Sequence, residues 1–117
     1  MVKLESENGK IRVSDDVFSA ITGAAATACF GVKGMAMRSR SDGLVHLLRR
    51  ESMSKGVYLT YNDDGSISIE LHIVVDYGVN LTAVSKSIIS EVSYKVRKAT
   101  GVPVKSVDVC IDSMVIG

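Results

Sequence analysis

The two histidines and two cysteines of this 117-residue chain are its natural candidates for metal or nucleophilic chemistry, and their spacing limits what they can do. His72 and Asp76 share one face of an extended stretch but lie about 13 Å apart along it, too far to hold one ion directly. His46 sits in a separate segment, and no spacing links it to either. Asp108, Cys110 and Asp112 alternate with Val107, Val109 and Ile111, so a thiol lies between two carboxylates on one strand face. Nearby negative charge disfavours the thiolate, which makes Cys110 a poor nucleophile; where that face contacts a partner, its expected role is that of a small apolar surface group. Cys29 falls in a helical stretch, where packing is its expected role. Ser/His/Asp and Cys/His arrangements, a Walker loop and GxGxxG are all missing from the local spacing, and Asp63–Asp64 falls in a turn. The residues therefore predict no enzyme, no cofactor and no metal site.

Binding chemistry has more support. Lys33, Arg38, Arg40, Arg49, Arg50 and Lys55 face only Asp42 and Glu51 between positions 33 and 55, the one locally basic region. Such a stretch suits phosphates, anionic lipids or an acidic protein partner. Gly31–Val32–Lys33–Gly34 also has the GxxG pattern with which KH modules clamp RNA, giving an RNA-binding alternative. The other reading of these glycines is a helix stop before a basic loop. Stacking platforms are scarce, because the chain has no Trp and both Phe18 and Phe30 fall near a helix; Tyr58, Tyr61 and Tyr77 remain.

The elements that must position these groups follow from periodicity. From Ser66 to Asp76 every odd position is apolar and the even ones are mostly polar, the pattern of a strand with one buried face. Asn80 or Thr82 can cap a helix whose stripe is Leu81, Val84, Ile88, Ile89, Val92, Val96 and Ala99. Gly101 and Pro103 stop it, and Val104 to Asp112 alternates again, completing a strand, crossover helix, strand unit. Upstream, Val57 to Tyr61 joins the first of these strands through the Asn62–Asp63–Asp64–Gly65 turn.

Nearer the start, Gly9 to Val13 reads as extended, with its membership of the main sheet left open. Ser14 is the expected cap of a helix over Asp15–Phe30 with Val17, Ile21, Ala24, Ala25 and Ala28 as its apolar stripe and Phe18 at the edge. Opposite that stripe lie Ser19, Gly23, Ala26 and Thr27. This small, uncharged face permits close approach, either to a second subunit or to the rest of the domain. Met37 to Gly43 reads as a loop, and Leu44 to Leu48 as a short helical turn anchoring it.

The expected fold is α+β: a small mixed β-sheet with two main helices on one side, in the order β-α-(short α)-β-β-α-β, as one domain over 1–117. Hydrophobic content of 46% against 23% charged makes a packed core, not disorder, the expectation. A formal charge of +1 gives no whole-molecule attraction to nucleic acid or membrane. Two cysteines outside any CxxC, with neither a cleavable signal nor an apolar run of about 20 residues, point to a reducing cytoplasmic setting.

Several stretches together resemble the alkaline shock protein family of mostly Gram-positive bacteria. They are Gly9–Lys10–Ile11–Arg12–Val13–Ser14, Gly31–Val32, Gly43–Leu44–Val45 and Ser54–Lys55–Gly56–Val57. The most specific are Ile69 to Asn80, reading IELHIVVDYGVN, and Thr100 to Val109, reading TGVPVKSVDV. The resemblance implies a small cytoplasmic protein without established enzymatic residues. Some members are linked to envelope stress and held near the membrane by a separate anchor protein; others are connected to fatty-acid metabolism. It implies a scaffold or regulatory interaction protein with a protein partner, self-association and only indirect membrane contact.

Overall fold

The computed structural model describes residues 1–38, 45–47 and 55–116; side chains at 37, 38 and 45–47 are outside that description. Its elements are β1 (Val2–Ser6), β2 (Gly9–Val13), α1 (Asp15–Thr27), β3 (Val32–Arg38), β4 (Val45–Leu47), β5 (Val57–Tyr61), β6 (Ile67–Asp76), α2 (Leu81–Thr100) and β7 (Val104–Val115). The fold is α+β, a mixed sheet with two main helices packed against it.

β6 is the spine of the main sheet. Along one edge it pairs in parallel with β7 from Ile67↔Val104 to Asp76↔Val115. β5 and β3 pair with it antiparallel, β5 opposite Ile67 to Leu71 and β3 opposite Ile73 to Val75. Where these two strands succeed one another, Gly56 fits against the backbone. A Cβ there would come within 2.9 Å of the Ala36 carbonyl oxygen and 3.3 Å of that of His72.

The alternation in β6 is realised directly: Ile67, Ile69, Leu71, Ile73 and Val75 are all buried. α2 joins them in one core cluster through Val84, Ile88, Val92 and Val96, a stripe of strict four-residue spacing. Leu81, Ile89 and Ala99, expected on that stripe, are exposed. Asn80 caps the helix by accepting from the Ala83 amide at 2.9 Å, and Gly101 ends it at φ 75°, a conformation that favours glycine. In the β5–β6 turn, the Asp64 carboxylate accepts from the Ser66 amide and hydroxyl, and Gly65 takes φ 87°. These hydrogen bonds hold the Asp64 carboxyl below the usual carboxylate range.

α1 departs from expectation in rotation and length. Its buried residues are Phe18, Ser19, Thr22, Gly23, Ala25 and Ala26, while Val17, Ala24 and Ala28 are exposed. The large Phe18 ring decides the orientation, and the small residues beside it let the helix lie close to the core. Of the small face expected to meet either a second subunit or the rest of the domain, Ser19, Gly23 and Ala26 are buried within the chain. The helix stops at Thr27, whose hydroxyl donates back to the Gly23 carbonyl, and not at Phe30. Ser14 occupies the cap position without a side-chain cap bond; Asp15 in the first turn instead accepts from the Tyr61 hydroxyl and the Met1 amino group.

Three strands are absent from the expected order: β1, β4 and β3, the last standing at Val32–Arg38 where a helix stop and basic loop are expected. β1 pairs with β2 as a separate two-stranded sheet, from Val2↔Val13 to Ser6↔Gly9, so Gly9–Val13 stays outside the main sheet. In place of the expected short helix, Val45–Leu47 is β4, paired antiparallel with β3 through Ala36↔Leu47 and Arg38↔Val45. A short apolar run suits either element, β-branched Val45 leans toward strand, and pairing with β3 settles it.

Candidate functional site

Chemistry-bearing side chains collect on the sheet face opposite the helices. β6 contributes Glu70 and His72, β7 contributes Asp108, Cys110 and Asp112, and β5 contributes Tyr58. Alternation within each strand puts its polar positions outward once the apolar ones face the core. Register then makes neighbours of them: Tyr58↔Glu70↔Asp108 form one row across the sheet, and His72↔Cys110 the next. Between Ile73 and Val74 the β7 register shifts by one residue, from Ile111 to Ser113, and Asp112 is the residue left over.

His72 is the centre of this group. Its Nδ1 lies 2.9 Å from an Asp112 carboxylate oxygen and its Nε2 3.0 Å from Glu70 Oε2. The Tyr58 ring meets the imidazole edge-on, with centroids 5.4 Å apart and planes at 86°. Two nitrogens each facing a carboxylate are best satisfied when both carry protons. Burial works to lower the His72 pKa, but the hydrogen bonds and charges of Glu70 and Asp112 outweigh it and raise the pKa above its usual 6.5. The Cys110 thiol is pushed up by burial and then by the charges of Glu70, Asp112 and Asp108. An unassisted thiolate nucleophile is therefore disfavoured here, as the sequence suggests.

Solvent access falls steeply across the cluster. The Glu70 side chain is 50% exposed, that of His72 24% and that of Asp112 12%. Beside them an open, shallow depression is lined by Tyr58, Thr60, Ser68, Glu70 and Asp108. Among the described residues, the candidate metal ligands are Glu70, His72 and Cys110, whose ligand atoms all lie within 4.8 Å of one another. Asp76, which shares the His72 strand face, is not among them.

The sequence places His72 on one strand and Asp108, Cys110 and Asp112 on another but does not by itself join them, and Glu70 is not among its candidates. The usable signal is the parallel register implied by a strand, crossover helix, strand unit, which sets the polar faces of both strands side by side.

The predicted basic surface is only partly placed. Lys33 on β3 and Lys55 just before β5 are exposed, and Arg38 closes β3. Arg40, Arg49 and Arg50 lie outside the described residues. Gly31–Gly34 joins a helix to a strand: Gly31 turns the chain at φ 88°, and Gly34 is buried within β3 opposite Val74. A KH clamp needs this pattern as a loop between two helices, whereas here it joins α1 to β3. Among the described residues no helix is long and apolar enough to cross a membrane.

A profile of the Asp-23 family, the alkaline shock protein family, described as having a cell envelope-related function, matches residues 3–116. The chain is 37% identical over 114 residues to uncharacterized protein Spy1614 of Streptococcus pyogenes serotype M6, covering 97% of this chain and 93% of that protein. It is 32% identical over 114 residues to uncharacterized protein YloU of Bacillus subtilis, covering 97% and 94% respectively. Uncharacterized protein YqhY of the same organism is 26% identical over 114 residues, covering 95% of this chain and 83% of that protein. No solved structure matches the chain.

Proposed function

This chain belongs to the alkaline shock protein family, and from that premise we propose that it is a non-catalytic cytoplasmic scaffold or regulatory interaction protein serving cell-envelope homeostasis or stress. The observation that carries the reading is where the ionisable groups lie. Glu70, His72, Asp108, Cys110 and Asp112 stand on an open sheet face, the setting of a recognition surface more than of a water-excluding reaction chamber. Family membership adds the envelope connection. Contact with the membrane is through a partner.

Docking uses the basic stretch that includes Lys33, Arg38, Arg40, Arg49, Arg50 and Lys55, which favours an acidic protein surface. The test is crosslinked affinity capture from native cytoplasm, comparing the wild type with the Arg49→Glu, Arg50→Glu double variant. A partner recovered by the wild type and lost from the variant, with weaker recovery at higher salt, supports the reading. Equal recovery by both removes the basic stretch as the docking surface. Salt-sensitive binding of mixed single-stranded RNA by the purified wild type would transfer support to the RNA alternative.

A further inference from the structure

We propose that Glu70, His72 and Cys110 form a binding site for a zinc-like divalent cation on the outer sheet face, with Asp112 orienting the imidazole and solvent filling the fourth position. This goes beyond the scaffold reading and does not require it. The ligand types come first: one imidazole nitrogen, one thiolate and one carboxylate oxygen are a set that suits zinc, a borderline-soft ion without a demanding geometry. Magnesium and calcium would want oxygen ligands alone.

The geometry is the second support. Ligand atoms around one tetrahedral zinc, at about 2.0–2.3 Å from it, lie roughly 3.3–3.7 Å from one another. Nε2 of His72 and Oε2 of Glu70 are already 3.0 Å apart, and the whole set of ligand atoms spans no more than 4.8 Å. The remaining contraction is within reach of side-chain rotation at half-exposed Glu70 and at Cys110. Backbone register fixes the rest, since His72 and Cys110 are direct neighbours on parallel strands.

The surroundings are the third. Imidazole ligands commonly donate their other ring N–H to a carboxylate, which sets the tautomer and aims the free nitrogen. Asp112, 2.9 Å from Nδ1, occupies that position, and Tyr58 braces the ring from β5. Nε2 and Glu70 Oε2 stand 3.0 Å apart, the separation a shared proton would bridge in the metal-free protein; a cation would take its place. The Zn–S bond forms as the Cys110 S–H bond breaks, with that proton passing to solvent. The Nε2 proton of a protonated His72 leaves in the same way, and Nδ1–H stays with Asp112. The groups facing the site are Tyr58 from β5, Glu70 from β6, and Asp108 and Asp112 from β7. Three carboxylates against one imidazole leave a local negative charge for the ion to neutralise.

Cobalt(II) is the probe, because a cobalt–thiolate bond gives a near-ultraviolet charge-transfer band that neither histidine nor carboxylate ligation produces. Titration of the full chain is expected to give the band at one equivalent, with bleaching by zinc and release of protons. Cys110→Ser should abolish the band and Cys29→Ser should leave it unchanged. Glu70→Gln, at a half-exposed position where folding is not at stake, should weaken binding measurably. Asp112→Asn should weaken it about 10- to 100-fold while keeping the band. The proposal is overturned by absence of the band in the wild type, by its survival in Cys110→Ser, or by unchanged affinity in Glu70→Gln. A band that appears only as the protein dimerises overturns it equally, because the ligands would then come from two chains.

Discussion

Ile73 and His72 are consecutive residues of β6 facing opposite worlds. Ile73 is fully buried beneath the helices, whereas His72 is 24% exposed at its side chain and held by two carboxylates. The inner face gains its order from shape and exclusion of water, the outer one from charge and hydrogen bonds. Cohesion on the inside is thus insensitive to pH, and cohesion on the outside is not.

The sharpest way to break this contrast is to truncate each neighbour in turn. Ile73→Ala should cost about 2–5 kcal/mol by urea denaturation, since it opens a void in the core cluster shared by the sheet and the helices. Gly101→Ala should cost about 1–2 kcal/mol, a backbone penalty for the left-handed conformation, because an added Cβ meets nothing within 4 Å. In metal-free buffer His72→Gln should cost about 1 kcal/mol near pH 6.

The sign of the His72 effect follows from its raised pKa. The folded state holds the proton more tightly than the unfolded chain, so the stabilisation is complete below about 6.5 and is lost as pH rises through the folded value. Wild type and His72→Gln should therefore converge in alkaline urea melts. A gap that widens with pH would refute the charged pairing, and a His72→Gln cost as large as that of Ile73→Ala would erase the distinction between the faces. The smallest expected effect is at the solvent side of α2: Glu91→Gln, which breaks the 3.5 Å contact to Lys95, should change stability by about 0.3–0.5 kcal/mol and only at low salt.

Legibility in the sequence follows the same division. Alternation within one strand exposes the inner face, so Ile67 to Val75 and the Val84–Val96 stripe can be read directly. α1 is harder, because Phe18 outweighs Val17, Ala24 and Ala28 and rotates the helix toward Ser19 and Gly23, while Ala25 and Ile21 keep their place against the core. β4 and β1 are short pieces whose state depends on a pairing partner that local periodicity does not reveal. The His72 cluster is hidden for a related reason: its members are 40 residues apart for His72 and Asp112, and only the parallel register joins them. Glu70 looks like any solvated strand carboxylate until Cys110 and His72 are placed beside it.

The seam at Gly56 constrains how this molecule can vary over time. Side chains on the outer face can be exchanged while the scaffold below stays put, but position 56 has no room for even one more carbon. One wall of that tight spot is the peptide oxygen of His72, so crowding there would be transmitted straight into the backbone carrying the imidazole. A lineage that retools this surface is free to repaint it, yet must keep its smallest residue at the joint underneath.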